Sequence, residues 1–414
     1  MLYGGVMAAP RRSRSERKAA RTVAAAVALA LVLASLIGAR AVYGGLGLAL
    51  GPDEYNIAAW EVRNFPDKWL YGLGRLFRGD RTIAEEDADL ARFLALTREI
   101  DALERASGAA AASRRELAAL RRQRDRLENG VEATIEGRIT AVAAGAGLKR
   151  SLLFLPALVW PPVDLEFADS PRSLATSPRD RILLLGTTLL RPGLTLAEVE
   201  AIETEHLGDG LSAVAFGTSG IGAYPTIVSY QTDYGAAVEL AAHEWLHNYL
   251  FFRPLGFRYG QSNDLRTLNE TVADLVGREI AGLVLAAWPL PGQEGGAPSP
   301  PAAAEVDLGA ELRRLRAEVV ALLARGEVAA AEALMEAKRL ELAAKGVRIR
   351  KINQAYFAFT NLYAGEAGNP AAVSPIGPKV DELRRRSDSL AAFLAVAGDL
   401  TSVAALDRAL AALP

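Results

Sequence analysis

The five residues His243-Glu244-Trp245-Leu246-His247 decide how the rest of this 414-residue chain is interpreted. They form the pattern H-E-x-x-H in a stretch predicted to be helical, and they include two of the three histidines in the chain. Residues four apart share one face of a helix, so both imidazoles can bind one metal ion. Glu244 directly follows the first histidine and lies near enough to act on a water bound to that ion. The alternative is that the H-E-x-x-H pattern occurs by chance and binds no metal.

A second predicted helix, Asn269-Glu270-Thr271-Val272-Ala273-Asp274, supplies further candidates. Glu270 can complete a shell of two histidines and one glutamate that leaves a fourth position open for water. Asp274 lies one turn further on the same face and can accept the free ring N–H of a ligand histidine, which fixes its tautomer. Ordinary solvated helix charges are the alternative for both carboxylates. A closed structural zinc site is disfavoured, because such sites prefer four Cys or His ligands and the chain has no cysteine.

With these residues the chain resembles the gluzincin metallopeptidases, in which H-E-x-x-H is followed, after a few tens of residues, by N-E-x-x-x-D. The matching residues are His243, Glu244, His247, Glu270 and Asp274. The resemblance implies one catalytic zinc ion per chain, with Glu244 as the general base and a peptide bond as the target. The metzincin pattern requires a third histidine at the position of Arg253 and is excluded.

A shorter resemblance lies in the C-terminal part of the chain. The segment Ile352-Asn353-Gln354-Ala355-Tyr356, with Tyr363 following, is similar to a segment of predicted bacterial aminopeptidases of the gluzincin group. In gluzincins a phenol from the helical second half often donates to the oxyanion, which makes Tyr363 the first candidate for that role and Tyr356 the second. The alternative is a core stripe on one predicted helix. Its members would be Ile349, Ile352, Tyr356, Phe359 and Tyr363.

The beginning of the chain indicates a membrane anchor. Six basic residues between positions 11 and 21 precede an uncharged segment at 22–39. At about 1.5 Å per residue this segment is just long enough to cross the hydrocarbon core of a bilayer. The positive flank is expected to stay in the cytoplasm, which places the catalytic part outside. A cleaved secretory signal is the alternative, because Ala39-Arg40-Ala41 superficially fits a cleavage site.

Periodicity and composition predict an α+β, mostly helical fold. The predicted parts are a basic tail at 1–21, an anchor at 22–40, a helical region with an antiparallel hairpin at 41–150, a catalytic domain at 151–288, a linker at 289–305 and a helical domain at 306–414. In the catalytic domain we expect the gluzincin layout, a small mixed sheet with an edge strand beside the metal helices. Residues 223–229 are the predicted edge strand, because Pro225 cannot donate to a ladder. Thr232 or Asp233 is expected to cap the metal helix.

These patterns predict a membrane-anchored zinc metallopeptidase outside the cytoplasm, with an aminopeptidase as the narrower expectation from resemblance. The expected partners are a peptide or protein substrate and the membrane, whereas a net charge of −2 gives no indication of nucleic acid. Two other classes stay open, namely a zinc hydrolase of a non-peptide amide or ester and an inactive membrane-anchored helical scaffold. An intact Glu244 argues against the scaffold. The residues do not determine endo- or exo-cleavage, or the oligomeric state.

Overall fold

The structure is a computed structural model and describes residues 51–61, 64, 81–106, 111–152, 155–292, 307–363 and 374–413. The predicted tail and anchor at 1–40 and most of the predicted linker lie outside the described residues. Helices predominate over three small sheets within these ranges, so the fold is α+β and mostly helical. Of the helices described here, none combines the length and the apolar character that crossing a bilayer requires.

The bounds of the described elements are as follows. The helices are α1 Ile83–Ala106, α2 Ala111–Gly145, α3 Leu196–Gly208, α4 Tyr234–Phe251, α5 Pro254–Phe257, α6 Asn263–Ala287, α7 Leu308–Ala324, α8 Val328–Ala344, α9 Gln354–Thr360, α10 Ile376–Arg385, α11 Leu390–Ala397 and α12 Val403–Ala412. The strands are β1 Lys149–Leu152, β2 Leu155–Val159, β3 Leu165–Phe167, β4 Arg172–Pro178, β5 Gly186–Leu190, β6 Leu211–Gly217, β7 Gly220–Ile221 and β8 Thr226–Val228.

Helices α1 and α2 form the predicted antiparallel hairpin. Arg121 near the start of α2 lies 2.5 Å from Glu104 near the end of α1, which fixes the antiparallel sense. The hairpin packs against the helices that carry the candidate site. Arg138 of α2 donates to the phenol oxygen of Tyr234 at 2.9 Å and to Asp87 of α1 at 2.6 Å, so one guanidinium ties both hairpin helices to the start of α4.

Strand β8 is the centre of a three-stranded sheet beside helix α4. It pairs in parallel with β3 and antiparallel with β7. The prediction that residues 223–229 form an edge strand is therefore wrong. Pro225 lies just before β8, so its missing N–H removes no bond from the ladder. The edge that faces the candidate site belongs to β7.

The β3 edge of this sheet is covered by helix α2. The N–H of Leu165 donates to Oε1 of Glu136 at 3.0 Å, and the N–H of Phe167 donates to Oε1 of Glu132 at 2.7 Å. An uncovered strand edge presents unpaired N–H and C=O groups to any other chain. Two carboxylates of α2 thus take the place of a neighbouring strand.

The β7 edge differs from the β3 edge. Ser229 N donates to Ser219 O at 2.7 Å, and Gly220 is the next residue along, opposite Val228. Bonded and non-bonded pairs alternate in an antiparallel ladder, so the N–H and C=O of Gly220 point away from β8. In the described ranges no strand pairs with that edge.

Strands β5, β4 and β6 form a second, antiparallel sheet with β4 at its centre. Strand β4 is not predicted by the sequence, because its Ser, Thr and Pro residues are typical of a loop. The leucine-rich segment 181–189 predicts a buried strand, but β5 begins only at Gly186 and lies at an edge. Leu183 and Leu185 are 39% and 51% exposed. A short apolar run does not by itself distinguish a buried strand from other buried or exposed segments.

Helix α9 packs on this second sheet and belongs to the C-terminal part of the chain. It begins at Gln354, so the single long helix predicted through positions 349–363 is wrong. The central members of the predicted core stripe are nevertheless buried, because Ile352 lies in one hydrophobic cluster and Phe359 in another. The segment before the helix reaches the same core without being helical.

Helices α4 and α6 lie together at the centre of the largest hydrophobic cluster. Trp245 of α4 is 1% exposed and donates its indole N–H to the Pro161 carbonyl at 2.9 Å. The C-terminal helix α10 joins the same cluster, and its Arg384 pairs with Glu279 of α6 at 2.8 Å. The two helices that carry the candidate site are therefore held on several sides.

Candidate metal centre

Helix α4 brings the two histidines of H-E-x-x-H to one side of the core. Asp233 caps it by accepting from Ala236 N at 2.8 Å, which satisfies an N–H that has no partner within the helix. Of the two predicted caps, the structure has Asp233. The imidazole rings of His243 and His247 lie 4.8 Å apart at an interplanar angle of 80°. Their edges thus converge on the space towards helix α6.

Three possible ligand atoms meet in that space. Nε2 of His243 lies 3.1 Å from Nε2 of His247, and both lie 3.6 Å from Oε2 of Glu270. A tetrahedral zinc ion with bonds of about 2.0–2.2 Å separates its ligand atoms by about 3.3–3.6 Å. The triangle therefore has about the size that one zinc ion requires.

The other ring nitrogen of each histidine has its own acceptor. Nδ1 of His243 lies 2.9 Å from Oδ1 of Asp274, and Nδ1 of His247 lies 2.7 Å from Oδ1 of Asn269. Carboxylate and amide oxygens only accept, so both Nδ1 atoms carry a proton and both Nε2 atoms present lone pairs. Two lone pairs 3.1 Å apart repel unless a proton or a metal cation lies between them. The donor set therefore fits a metal ion.

The electrostatics of the site favour positive charge. Burial raises the pKa of Glu244, and the nearby imidazoles oppose this shift only in part. Burial would lower the pKa of His243, but Asp274 and Glu270 outweigh it and raise this pKa well above its ordinary value. Burial would raise the pKa of Glu270, but His247 and His243 outweigh it and hold this pKa well below its ordinary range. The pocket thus attracts a cation, whether as protons or as a metal ion.

Strand β7 and the residue that follows it pass directly over the site, and the two glycines of this segment make this possible. A Cβ atom at Gly220 would lie 2.6 Å from Oε1 of Glu244, and one at Gly222 would lie 2.8 Å from Cβ of His247. Both distances are shorter than van der Waals contact, so only glycine allows the strand to approach this closely. The sequence indicates a glycine-rich turn here, but nothing in it shows which helix the glycines face.

Tyr259 is a further residue at the site, and it belongs to neither sequence motif. It lies in the 3-10 turn Tyr259–Gln261 between α5 and α6. Its hydroxyl donates to Oε1 of Glu270 at 2.5 Å, which leaves Oε2 towards the histidines. Its ring lies edge-on to His247 with centroids 6.2 Å apart. The only signal in the sequence is its position between the two motifs.

The two tyrosines predicted to stabilise an oxyanion lie elsewhere in the fold. Tyr356 stacks on Phe216 with centroids 6.0 Å apart, and burial raises the pKa of its phenol to about 12. Tyr363 follows helix α9 and packs against Phe359 at 5.6 Å. Both belong to hydrophobic clusters that do not contain helix α4. Their catalytic role stays a prediction.

The remainder of the second resemblance has a structural role in this fold. Asn353 caps α9 by accepting from Tyr356 N at 2.9 Å and also donates to the Ala213 carbonyl of β6 at 2.9 Å. Gln354 donates to the Arg179 carbonyl at 2.7 Å. These bonds attach helix α9 to the β5-β4-β6 sheet.

Comparison with known proteins found no relative of this chain. No family model matches it, and no curated protein or solved structure matches it either. The site is therefore interpreted from its own residues and geometry.

Proposed function

We propose that this chain is a membrane-anchored, zinc-dependent metallopeptidase of the gluzincin type. The observation that carries this proposal is the convergence of His243, His247 and Glu270 at distances that suit one zinc ion, with Glu244 beside them. In the proposal these three residues hold one zinc per chain. Zinc, when bound, polarises a substrate carbonyl and lowers the pKa of a water from about 15.7 towards 7.

Glu244 acts as the general base in this mechanism. It accepts a proton from the attacking water and passes it to the leaving nitrogen. Burial raises the pKa of its carboxyl, which makes it a stronger base than an exposed glutamate. Asp274 and Asn269 hold the imidazoles in the tautomer that presents Nε2. Tyr259 joins Tyr363 and Tyr356 as a candidate donor to the oxyanion, because its phenol lies beside the proposed zinc ligand Glu270. Donation to the oxyanion would require its one hydroxyl proton to turn away from Oε1 of Glu270.

The open β7 edge supports a peptide as the substrate. The N–H and C=O of Gly220 point away from β8, and Gly220 itself lies against Glu244. An extended peptide can pair with such an edge through main-chain groups alone. This pairing would place a backbone carbonyl next to the ligand triangle. A small ester or amide could not use the edge in this way, which ranks that alternative second.

Replacing Glu244 with Gln tests the proposal directly. Gln keeps the size of the side chain but cannot accept the proton, so hydrolysis of a peptide library should fall by at least 10²–10⁴-fold, roughly the contribution of a general base. Zinc content, measured by elemental analysis, should stay near one per chain. Glu200→Gln, an exposed glutamate on α3, is the matched control and should keep full activity.

Three results of this experiment would reject the peptidase proposal. Undiminished cleavage by Glu244→Gln would mean that the activity comes from another site. Hydrolysis restricted to small amides or esters would favour the non-peptide hydrolase. A zinc-loaded parent protein that cleaves neither class would favour the inactive scaffold.

The proposed location can be tested separately. A reporter that is active only outside the cytoplasm, fused after Pro414, should be active if the predicted anchor at 22–40 holds the chain in the expected orientation. The full chain should also remain with membranes during alkaline carbonate washing. An inactive reporter would contradict the predicted orientation, and release of a shortened chain would favour the cleaved signal.

A further inference from the structure

Arg266 lies close to the candidate metal centre and has no counterion among the residues that the structure describes. It lies four residues before Glu270 on helix α6, and therefore on the same helical face. The carbon of its guanidinium group lies 5.9 Å from the ring centre of Tyr259, whose hydroxyl contacts Glu270. Among the described residues, no carboxylate forms an ion pair with Arg266 and no acceptor bonds its side chain.

Other arginines in comparable surroundings are paired. Within the described ranges, four arginines have an Nε atom that is shielded from solvent and forms no hydrogen bond. Three of them have a carboxylate close to their guanidinium group, at 3.6 Å for Arg124, 2.6 Å for Arg138 and 3.0 Å for Arg253. Arg266 is the exception. A partly desolvated charge without a partner is unfavourable, so a missing partner at this position requires an explanation.

The carboxylates near Arg266 do not provide that partner. Oε1 of Glu270 accepts from the hydroxyl of Tyr259, and its Oε2 belongs to the proposed metal-ligand triangle with the two imidazoles. Asp264 is exposed and lies two positions away along the helix, which places it on a different face. Arg266 itself is only half-buried, so a molecule that enters the site can reach it.

We propose that Arg266 binds a carboxylate group of the substrate and thereby sets the specificity of the site. A guanidinium group matches a carboxylate with two parallel hydrogen bonds, which gives direction as well as affinity. The carboxylate is either the C-terminus of a peptide or an acidic side chain near the cleaved bond. This inference rests on the proposed function, because it assumes that a peptide occupies the site.

Four peptides of one neutral sequence separate the two sources. All keep a free N-terminal amine, so that an aminopeptidase could also cleave them. One pair ends in a free carboxylate or a carboxamide, and the other pair is amidated and carries Glu or Gln at one inner position. The full-length, zinc-loaded protein should cleave the carboxylate member of one pair with a kcat/KM roughly 10–100-fold above that of its neutral partner. Preference within the first pair would show that Arg266 binds the C-terminal carboxylate of the peptide. Preference within the second pair would show that it binds an acidic side chain.

Variants of Arg266 should remove this preference selectively. Arg266→Gln should abolish the preference by raising KM for the carboxylate peptide, while kcat/KM for the neutral peptides should change by no more than about threefold. Arg266→Lys keeps the charge but lacks the planar guanidinium group, so it should retain part of the preference. Arg258→Gln, at an exposed arginine nearby, is the matched control and should keep the preference. No preference in the parent protein, or an equal loss for all four peptides, would overturn the proposal.

Binding provides a readout that does not depend on catalysis. Calorimetric titration of Glu244→Gln protein should give a lower Kd for the favoured carboxylate peptide than for its neutral partner, and adding Arg266→Gln should equalise the two. This result would support the role of Arg266 even if no peptide were hydrolysed, in which case only the proposed function would fail. Equal affinities before Arg266 is changed would overturn the specificity proposal alone.

Discussion

Gly220 and Glu244 occupy a space that has no room for a further methyl group. A Cβ atom at position 220 would lie 2.6 Å from Cγ and from Oε1 of Glu244. The strand is held by its ladder, whereas the end of the glutamate side chain can move, so Gly220→Ala should displace the carboxylate. We expect kcat to fall roughly 10–100-fold, as small displacements of reacting groups do, with zinc content unchanged.

The control for this prediction is Gly217→Ala at the end of β6, where an added Cβ would meet nothing within 4 Å. Steady-state kinetics and elemental analysis on both variants give the answer. Equal losses in the two variants would point to a general effect on the strands. Full activity of Gly220→Ala would mean that Glu244 adopts another position during the proposed reaction.

The histidine partners lead to a second prediction at the residue scale. Asp274→Ala removes the acceptor that lies 2.9 Å from Nδ1 of His243, and zinc affinity should fall by about 10–100-fold. His243→Ala or His247→Ala should lose most of the zinc. Asp264→Ala, an exposed aspartate on the same helix, should leave affinity unchanged. Competition with a chelator measures all four variants, and full zinc retention by both histidine variants would refute the ligand assignment.

The sequence predicts those residues of the site whose relationship is local. His243, Glu244 and His247 lie within one turn of a helix, and Glu270 and Asp274 within one turn of another. Gly220 and Tyr259 belong to the site because strand β7 and the turn before α6 pass next to it in the folded chain. Local spacing in the sequence does not encode these positions. Asn269 belongs to the second motif, but its role as an acceptor for Nδ1 of His247 depends on a distance in three dimensions that the motif does not encode.

Among the elements, helices were easier to predict than strands. The α1–α2 hairpin and the bounds of α4 follow from apolar spacing and a capping residue. Strand β4 lies at the centre of its sheet with a loop-like composition, and β8 directly follows a proline but lies inside its sheet. The position of a strand within a sheet depends on its neighbours, and these come from distant parts of the chain.

The capping residue of helix α4 can be tested by substitution. Asp233→Ala removes the capping bond to Ala236 N, which should lower the free energy of unfolding by about 1 kcal/mol and Tm by about 1–2 °C. Thr232→Ala is the control, because the side chain of the other predicted cap does not bond the helix start. Thermal unfolding of both variants measures the difference. A larger loss at Thr232 would reverse the assignment of the cap.

The stability of the whole molecule should depend on pH through a fully buried carboxyl group. Glu61 is 0% exposed, and its Oε1 accepts from Tyr224 N at 3.2 Å. Burial raises the pKa of Glu61 to about 8, although the bond from Tyr224 opposes the shift. The folded state therefore holds this proton more tightly than the unfolded state does. This contribution to stability is complete below about pH 4.5 and is lost as pH rises towards 8.

Glu61→Gln should remove this dependence, because the amide is never charged. The variant should unfold at nearly the same temperature as the parent at pH 5 and at a higher temperature at pH 8.5. The gain in unfolding free energy should be on the order of 4 kcal/mol. Thermal unfolding scans across this range measure the difference. A constant difference between the two proteins at all pH values would contradict the assignment.

The two glutamates of α2 that cover strand β3 have a consequence for self-association. Sheets with long open edges recruit further copies of the same chain and grow into fibrils, which requires many residues to pair in register. Here Glu132 and Glu136 occupy the outward N–H groups of one edge, and the other edge is the two-residue strand β7. An edge of two residues is too short to template an aggregate, whereas the short peptide of the proposed function would need to pair with only a few of its main-chain groups.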